Sequence, residues 1–402
     1  MNILDSNNIH ECTSCQVCAL LCTKNAISYS IDSNGFYRPI VDENKCVDCG
    51  LCKKVCYKYT EIEPFVFDEH VYHYAAASTD ENILKNTTSG GISDVLCEQL
   101  IKDGYKCVGV AYDYQNDIAI GKIATNREDT YTFRGSKYIQ SYSYPAFNQI
   151  FSDYKSEKIA IFGTPCQIYA IDKYLKRKGI RDNCLLIDIY CHGCPSMLLW
   201  KKYISQIKKE KKIQQFNYIS FRDKSNGWGQ YHIKGLDMSQ NTYHSPKIND
   251  KFFTLFFSNL LLNDACYTCE IRNSLNHTDI RLGDFWGKHY LHNTSGMSLV
   301  SINPASDRGK KIFEIIKTTI TAKKHNTQDC IPYQSVSLTY TIDRTLRSEL
   351  IQSLADNNAA LSDCTSLLWK NYSFKQKCFH FIKNIVLLMP NSVIACIKSL
   401  CS

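Results

Sequence analysis

Two copies of the pattern C-x2-C-x2-C-x3-C lie close together near the start of the chain. The first is contained in "ECTSCQVCALLCTKNA", residues 11–26, and the second in "KCVDCGLCKKVCYKYT", residues 45–60. In a reducing environment, clustered thiols bind metal more often than they bind each other. Residues 1–62 are therefore predicted to form a short, loop-rich domain built around metal.

The cysteine content of the whole chain indicates the same chemistry. The chain has 402 residues and 21 cysteines. A secreted disulfide scaffold would be short and would carry a signal peptide, whereas the start "MNILDSNNIHEC" has no basic segment followed by an apolar run. The longest apolar stretch, "IVLLM" at 385–389, is much shorter than a membrane-spanning helix. We therefore expect a cytoplasmic protein with reduced thiols.

The spacing within each copy predicts which cysteines share a metal centre. Three thiolates separated by two residues hold three corners of one iron–sulfur cubane, and the fourth, three residues further on, is directed to the other cluster. Two 4Fe-4S clusters are predicted, one held by Cys12, Cys15, Cys18 and Cys56, the other by Cys46, Cys49, Cys52 and Cys22. Structural zinc is the alternative, because two C-x2-C pairs fit a tetrahedral ion. Zinc gains nothing from the additional C-x2-C step in each copy.

Residues 11–57 closely resemble a bacterial dicluster ferredoxin. The proline that usually follows the fourth cysteine in that family is replaced by Thr23 in the first copy and by Tyr57 in the second. This departure alters the turn and removes no ligand.

Charge and apolar patterning limit the possible partners. The net charge of +8 is spread over the chain, with one basic run, "KKEKK", at 208–212. Such a run usually forms a solvated helix face, and a docking surface for an acidic electron-transfer partner is the alternative. No nucleic-acid-binding motif is present, so no nucleic-acid partner is expected.

The last segment, "KCFHFIKNIVLLMPNSVIACIKSLCS", predicts a helix packed on the body, with peripheral attachment to the inner face of a membrane as the alternative.

Beyond the ferredoxin-like domain, the chain is predicted to have an α/β fold, α+β overall. Residues 71–195 alternate strands such as "VYHYAAAS" and "KIAIFGTPC" with helices such as "GISDVLCEQLIKDG", which favours a layered sheet with functional turns at strand ends. Residues 196–304 form the second part of this body. Residues 305–402 are predicted to be a mostly helical tail.

Further motifs follow in a fixed order along the body. They are "TTSGGIS" at 87–93, "SKYIQS" at 136–141, "FGTPCQ" at 162–167, "YCHGCPS" at 190–196, and "CYTCEIRN" at 266–273 followed by "DIRLGDFWG" at 279–287. This ordered set resembles the coenzyme F-420 hydrogenase/dehydrogenase beta-subunit family over nearly the whole chain to about residue 300. The resemblance implies iron–sulfur clusters coupled to a bound flavin, in a family whose members also accompany polysaccharide biosynthesis enzymes.

A third 4Fe-4S cluster is expected in the body. Its ligands would come from three distant segments that converge on one site: Cys166, Cys191, Cys266 and Cys269. The alternative is that Cys166 and Cys191 are buried structural thiols, which is common for free cysteine. Cys194 offers a second thiol in "CHGC" and either replaces Cys191 or is a spectator.

The resemblance also implies an FAD site. Its candidate residues are Ser89, Gly90, Gly91, Lys137, Tyr138, Gly163, Thr164 and Pro165. The first three precede a helix, whose free N–H groups and dipole favour a phosphate. Lys137 is expected to lie near the pyrophosphate or the isoalloxazine ring, and Tyr138 to stack on a ring. In "GDFWG", Asp284 is by default a solvated turn residue, and no catalytic residue is assigned.

These features predict an iron–sulfur flavoprotein oxidoreductase. Electrons would pass between a redox partner protein, such as a ferredoxin or another subunit, the clusters, and a flavin that reduces or oxidises a small organic substrate. That substrate would be the deazaflavin coenzyme F-420 or an intermediate of a polysaccharide pathway. The alternative is an electron-transfer subunit with no substrate site of its own. No G-x-G-x-x-G, P-loop, G-x-S-x-G or H-E-x-x-H motif supports another chemistry.

Overall fold

Short runs of aliphatic residues form the middle strands of a nine-stranded mixed sheet. The computed structural model describes residues 1–5, 9–246, 248–389 and 393. The strands of the described residues are β1 (Ile27–Ile31), β2 (Tyr37–Val41), β3 (Tyr72–Ser78), β4 (Lys106–Asp113), β5 (Ile118–Ala124), β6 (Ser141–Tyr142), β7 (Ile159–Phe162), β8 (Cys184–Ile189), β9 (Phe216–Asp223), β10 (His232–Asp237), β11 (Thr242–His244), β12 (Ile280–Asp284), β13 (Ser298–Ile302) and β14 (Ile320–His325). Their α-helices are α1 (Glu81–Asn86), α2 (Ile92–Lys102), α3 (Arg127–Thr130), α4 (Tyr144–Asp153), α5 (Pro165–Lys178), α6 (Met197–Lys211), α7 (Lys251–Phe256), α8 (Asp264–Tyr267), α9 (Asp307–Ile316), α10 (Thr327–Cys330), α11 (Arg344–Ala355), α12 (Leu361–Asn371) and α13 (Phe374–Leu388).

The large sheet has the strand order β14-β3-β13-β12-β8-β7-β4-β5-β6. Strands β12, β8, β7 and β4 run parallel to one another. Strands β7 and β8 are almost entirely buried, as expected where both faces of a sheet are covered. Because the carboxyl ends of parallel strands meet at one edge of a sheet, the turns that follow β7, β8 and β12 are neighbours there.

The ferredoxin-like segment packs on this edge through polar contacts. Gln16 donates from Nε2 to the carbonyl oxygen of Ser141 at 2.8 Å, and its Oε1 accepts from the backbone N–H of Ser143 at 2.7 Å. On another side, the Tyr57 hydroxyl accepts from the backbone N–H of Glu270 at 3.2 Å. These bonds fix the segment against the loops of the body that carry the later cysteines.

The three-stranded sheet β11-β10-β9 belongs to a second layer that packs on the body. Helices α6, α7, α11 and α12 pack with this sheet around a core of large aromatic and aliphatic side chains that includes Trp200, Phe221 and Phe252. Trp200 is fully buried, and its indole N–H donates to the Tyr112 hydroxyl at 3.1 Å. The core ties β9 to the large sheet, and β9 carries a residue of the candidate site, Arg222.

The α/β fold class predicted from the sequence is confirmed. The predicted strands at 71–78 and around 159–162, and the predicted helix after residue 91, are present. The sheet extends beyond the predicted domain 71–195, because β12 and β13 of the second predicted part lie in its middle. Within the predicted helical tail, β14 is an edge strand that pairs antiparallel with β3.

The last described helix, α13, presents several large apolar side chains to solvent, among them Phe374, Phe379 and Phe381. The part of the chain that the structure describes has no helix that is both long and apolar enough to cross a membrane. The predicted peripheral contact with a membrane stays a prediction, and most of the segment after residue 389 lies outside the described residues.

A buried ion pair joins the middle of the large sheet. Arg281 on β12 and Asp188 on β8 are register partners, and they are 1% and 2% exposed. The guanidinium donates to both carboxylate oxygens, at 2.8 and 2.6 Å, and also to the carbonyl oxygens of Arg272 and Ser274 at 2.6 and 2.8 Å. Both charges are therefore paired and hydrogen-bonded, which a buried ion pair requires.

We expect Asp188→Ala to lower the free energy of unfolding by about 3–5 kcal/mol, because it leaves the Arg281 charge buried without its partner. The matched control is Asp182→Ala, which removes the carboxylate that pairs with Arg308 at the surface, where its side chain is 98% exposed. Denaturant unfolding of the anaerobic protein, followed by circular dichroism, measures both. Equal effects of the two substitutions would contradict the assigned role of the buried pair.

Candidate functional site

The structure brings Cys12, Cys15, Cys18 and Cys56 together, and we call them the first cysteine group. Burial raises the pKa of Cys18 well above its ordinary value, and the neighbouring Cys15, Cys56 and Cys12 raise it further because like charges repel. The Cys18 thiol lies 3.2 Å from the Tyr29 hydroxyl, and the backbone N–H of Ser14 donates to the Cys12 sulfur at 3.4 Å. Four converging sulfurs with polar hydrogens nearby suit a thiolate-bound metal cluster.

The second cysteine group, Cys22, Cys46, Cys49 and Cys52, lines one cavity. The backbone N–H of Ala26 donates to the Cys22 sulfur at 3.2 Å. Cys49 is exposed, which places this group nearest to solvent. Cys22 thus lies with the cysteines of the other copy, as Cys56 does in the first group.

The two copies adopt the same backbone conformation between their cysteines. Ser14 and Gln16 have φ of 60° and 66°, and the equivalent Asp48 and Gly50 have φ of 49° and 70°. Left-handed residues at these positions reverse the chain within each C-x2-C step. The internal repeat in sequence is therefore also a repeat in structure.

The third cysteine group consists of Cys166, Cys191, Cys266 and Cys269, which come from the turn after β7, the end of β8 and the segment around α8. Burial raises the pKa of Cys166 well above its ordinary value, and Cys15, Cys191 and Cys269 add to the shift. Burial likewise raises the pKa of Cys266 to about 12, with further contributions from Cys191 and Cys269. Each of these thiols thus has others of the group as neighbours, although they lie up to 103 positions apart in the sequence.

Cys194 lies beside this group. Its backbone N–H donates to the Cys266 sulfur at 3.4 Å. Burial raises its pKa well above the ordinary value, and Cys266 and Cys191 are the thiols that raise it further. Cys191 has Cys269 and Cys266 as neighbours, and it also raises the pKa of Cys166. Cys191 is therefore the more central of the two thiols of "CHGC".

The three groups follow one another through the molecule. Cys18 and Cys56 of the first group share a small hydrophobic cluster with Cys22 and Cys52 of the second. On the other side, Cys15 of the first group lies close enough to Cys166 of the third to raise its pKa. The order runs from the exposed Cys49 to the interior of the body.

The loop of Ser89, Gly90 and Gly91 meets several elements of the candidate flavin site. The Ser89 carbonyl oxygen accepts from Lys224 Nζ at 2.9 Å, and the Gly90 N–H donates to Ser298 Oγ at 3.0 Å. A Cβ on Gly90 would lie 2.3 Å from the carbonyl oxygen of Ala76, so only glycine fits this close approach. The Gly90 N–H is thus already bonded within the protein.

Lys137 and Tyr138 lie in the segment between α3 and β6. Burial lowers the pKa of Lys137 to about 7 because the ammonium loses hydration. Its Nζ donates to the carbonyl oxygens of Thr132 and Arg134, both at 3.0 Å. The Tyr138 ring packs edge-on against Phe256 with ring centroids 5.7 Å apart. Phe256 also contacts His192, which is next to Cys191, at 5.2 Å, so Tyr138 connects to the third cysteine group through two rings.

Gly163, Thr164 and Pro165 form the turn from β7 into α5. Thr164 is the N-cap of the helix and forms a capping box with Gln167, while Pro165 occupies the first turn. The Thr164 hydroxyl lies 3.2 Å from the Cys166 sulfur. This turn therefore sets the position of Cys166 directly.

Arg222 is a further candidate site residue, which the sequence patterns do not indicate. Its side chain is 3% exposed, and Nη1 donates to Asp284 Oδ2 at 2.5 Å and to the Tyr138 hydroxyl at 3.2 Å. Its Nε and Nη2 have no hydrogen-bond partner among the described residues. Buried donors are nearly always paired in proteins, so two unused N–H-bearing nitrogens indicate a place for an acceptor. No sequence motif surrounds Arg222, and only its environment identifies it.

Aromatic rings surround this guanidinium. Trp228 and Trp286 stack with centroids 4.7 Å apart and an angle of 6° between their planes. Arg222 lies over Tyr231 at 4.2 Å and over Trp286 at 5.5 Å. The Trp228 N–H donates to the other oxygen of Asp284 at 2.8 Å. Asp284 is thus a half-buried residue that holds Arg222 and Trp228, and not only a solvated turn residue.

The residues present fit the groups that the sequence predicts. Each cysteine group offers four sulfur donors, the ligand set of a 4Fe-4S cluster. A flavin offers carbonyl oxygens and a planar ring, which match the unused nitrogens of Arg222 and the aromatic side chains beside it. Ligation and flavin contacts stay predictions for the individual residues. Among the other cysteines, Cys97, Cys107, Cys184, Cys330 and Cys364 are buried, and Cys396 and Cys401 lie outside the described residues.

Comparison with known proteins shows similarity to one family over part of the chain. Residues 156–329 match a family model that describes the C terminus of the coenzyme F420 hydrogenase/dehydrogenase beta subunit. A curated relative, coenzyme F420 hydrogenase subunit beta of Methanococcus voltae, is 34% identical over 125 residues, which are 29% of this chain and 44% of that protein. This chain thus spans less than half of the length of that relative.

A solved structure of the F420-reducing [NiFe] hydrogenase complex from Methanosarcina barkeri also matches, with 18% identity, a TM-score of 0.47, and coverage of 73% of this chain and 92% of the solved one. The family match covers β7, β8, the third cysteine group, Arg222 and Asp284. Over these residues, the chain is similar to the coenzyme F420 hydrogenase/dehydrogenase beta subunits.

Proposed function

We propose that this protein is an iron–sulfur flavoprotein oxidoreductase that exchanges electrons between a redox partner protein and an organic substrate. The observation that carries the proposal is the continuous order of the three cysteine groups, from the exposed Cys49 to Cys166 in the interior. Iron–sulfur clusters carry single electrons, and a flavin exchanges electrons or a hydride with an organic molecule. The chain supplies position, shielding and charge for both kinds of group.

The first two cysteine groups would receive the partner protein. Cys49 is exposed and Cys46 is half-buried, whereas Cys18 and Cys52 are buried. Exchange with a second protein requires a close approach to the metal centre, and the second cysteine group permits one. We propose a ferredoxin or another subunit of a complex as that partner, because the Methanococcus voltae relative is a hydrogenase subunit.

The flavin would lie between the third cysteine group and Arg222. Tyr138 and Asp284 contact Arg222 there, the loop at Ser89 contacts Lys224, and Lys137 precedes Tyr138 in the chain. A guanidinium with two unused nitrogens donates to planar acceptors with a defined geometry, so Arg222 would bind the carbonyl edge of the ring. Lys137, which has no carboxylate among its hydrogen-bond partners in the described chain, would bind an anionic part of the cofactor. Ser89, Gly90, Gly91, Gly163, Thr164 and Pro165 shape the surrounding backbone.

We propose a planar ring compound as the substrate. The name of the curated relative supports the deazaflavin coenzyme F420, and an intermediate of a polysaccharide pathway is the other candidate. The stacked Trp228 and Trp286 offer an aromatic surface next to Arg222, which suits a flat ring better than a flexible sugar. Reduction of F420 by the purified protein with reduced ferredoxin as the electron donor, followed by the visible absorbance of F420 against a control without the protein, distinguishes the two candidates.

Analysis of iron, acid-labile sulfide and flavin on one anaerobic sample tests the proposal. We expect about twelve iron, about twelve sulfide and one flavin per chain, as three cubanes with a flavin require.

Cys191→Ser should lower the iron to about eight per chain, because it removes a central ligand of the third cluster. Cys194→Ser is the matched control from the same turn and should leave the iron content unchanged. Wild-type protein without flavin would instead favour an electron-transfer subunit, and iron loss in Cys194→Ser alone would exchange the roles of the two thiols.

We expect Arg222→Met to weaken flavin binding at least about tenfold, which is about 1.4 kcal/mol, because a buried charged donor to the ring is lost. Arg222→Lys should also lose affinity, since an ammonium cannot replace the fork of a guanidinium. Fluorescence titration of the flavin-free protein measures the dissociation constants, and iron content shows that the variants are folded. The control is Arg344→Met, whose side chain is 76% exposed. Full flavin affinity in Arg222→Met would remove this residue from the site.

Flavin affinity should fall as the pH rises through about 7, the value to which burial lowers the pKa of Lys137. Below this pH the free protein already carries the ammonium that an anionic group requires. Above it, binding must take up a proton, so the dissociation constant should rise by up to about tenfold per pH unit. Lys137→Arg keeps its charge and should show a flat profile. The same dependence in Lys137→Arg as in the wild type would assign the titration to another group.

A further inference from the structure

Three metal-ligating side chains meet outside the cysteine groups and the flavin site. They are His289 from the segment after β12, His325 at the end of β14, and Asp329 in α10. One ligand atom from each lies within 4.8 Å of the other two. His289 Nε2 lies 3.2 Å from Asp329 Oδ1, and His325 Nδ1 lies 3.4 Å from Asp329 Oδ2. The carboxylate therefore stands between two imidazoles that come from different elements.

The orientation of His325 is fixed from its other side. Its Nε2 lies 2.9 Å from the Tyr290 hydroxyl, and its side chain is 4% exposed. The ring of the fully buried Phe285 packs against it at 4.7 Å. Metal-binding histidines typically have their second ring nitrogen hydrogen-bonded to a protein group, which fixes the tautomer and aims the free nitrogen at the ion. The Tyr290 hydroxyl takes this role, and Nδ1 is left facing Asp329.

The donor set selects a class of ion. Two imidazole nitrogens and one carboxylate oxygen suit zinc and similar divalent transition metals, whereas magnesium and calcium prefer oxygen ligands only. The side chains of His289 and Asp329 are 35% and 32% exposed, so an ion can enter and keep a water molecule as a fourth ligand. No thiol is among the three residues, so this site would not compete with the cysteine groups for a cluster.

We propose that His289, His325 and Asp329 bind one zinc ion, which ties the segment after β12 to the turn between β14 and α10. The proposal does not depend on the flavin or on the clusters. Asp284 and Trp286, which contact Arg222 and Trp228, flank the buried Phe285 of the same segment. A zinc ion at this point would therefore hold the segment that forms one wall of the candidate flavin site.

The test is zinc binding by the full-length protein under anaerobic conditions. The protein is treated with a chelator that removes zinc, titrated with zinc chloride in a calorimeter, and then analysed for zinc and iron. X-ray absorption at the zinc edge identifies the ligand atoms. We expect about one zinc per chain with nitrogen and oxygen at about 2.0–2.2 Å and no sulfur at about 2.3 Å.

Variants show whether these three residues hold the ion. We expect His289→Ala and Asp329→Asn to weaken zinc binding by at least about a hundredfold, since each removes one of three protein ligands, and Tyr290→Phe to weaken it by about tenfold through the orientation of His325. Iron content should stay at the wild-type value in all three. The matched control is His292→Ala, an exposed histidine of the same segment, which should bind zinc normally.

Three results would overturn the proposal. They are wild-type protein that binds no zinc at micromolar concentration, zinc that shows sulfur ligands, and zinc that binds equally well to Asp329→Asn. The first result would leave the three residues as a hydrogen-bonded network without an ion, and the second would place the zinc in a cysteine group. Because iron and flavin are measured separately, none of these outcomes affects the proposed oxidoreductase function.

Discussion

The ion pair between Arg281 and Asp188 is the interaction on which the candidate site depends most. It lies between two parallel strands, one of which ends at Asp284 and the other two residues before Cys191. The same guanidinium donates to the carbonyl oxygens of Arg272 and Ser274, so it also holds the segment that follows Cys266 and Cys269. Three thiols of the third cysteine group are thus positioned by segments that contact one buried cation. A hydrophobic pair of similar size could stabilise the sheet, but it would not offer donors to fix this segment.

The ferredoxin-like segment depends on the body for its position. Gln16, a residue between two cysteines of the first copy, bonds to Ser141 and Ser143 of the body. Gln167 of the turn that carries Cys166 reaches the hydroxyl groups of the same two serines at 3.4 Å. Ser141 and Ser143 therefore connect the first cysteine group to the third. The neighbouring positions of Cys15 and Cys166 result from this shared polar junction, which a flexible linker between independent domains would not provide.

Much of this arrangement could be predicted from the sequence, because its signals are local. The C-x2-C-x2-C-x3-C spacing predicts which thiols share a group, and runs such as "KIAIF" predict buried strands. The antiparallel strands β13 and β14 could not be placed, because pairing between distant segments leaves no periodic signal. Arg222 could not be found, since its role depends on two nitrogens that stay unpaired only in the fold. The set of His289, His325 and Asp329 leaves no local pattern in the sequence either, because His325 follows His289 by 36 positions.

Strand β12 and the residues after it connect these observations. Successive side chains of a strand point to opposite faces of a sheet. Arg281 and Gly283 lie on one face, where the absence of a Cβ on Gly283 lets the Tyr190 ring approach. Phe285 packs in the same cluster as Tyr190, together with Tyr290.

Asp284 points the other way and binds Arg222 and Trp228. A change on the first face, whether in the ion pair or at His325 behind Phe285, would therefore reach Asp284 through the backbone of this strand. The alternation of one short strand thus places the buried ion pair and a residue that binds Arg222 at nearby positions.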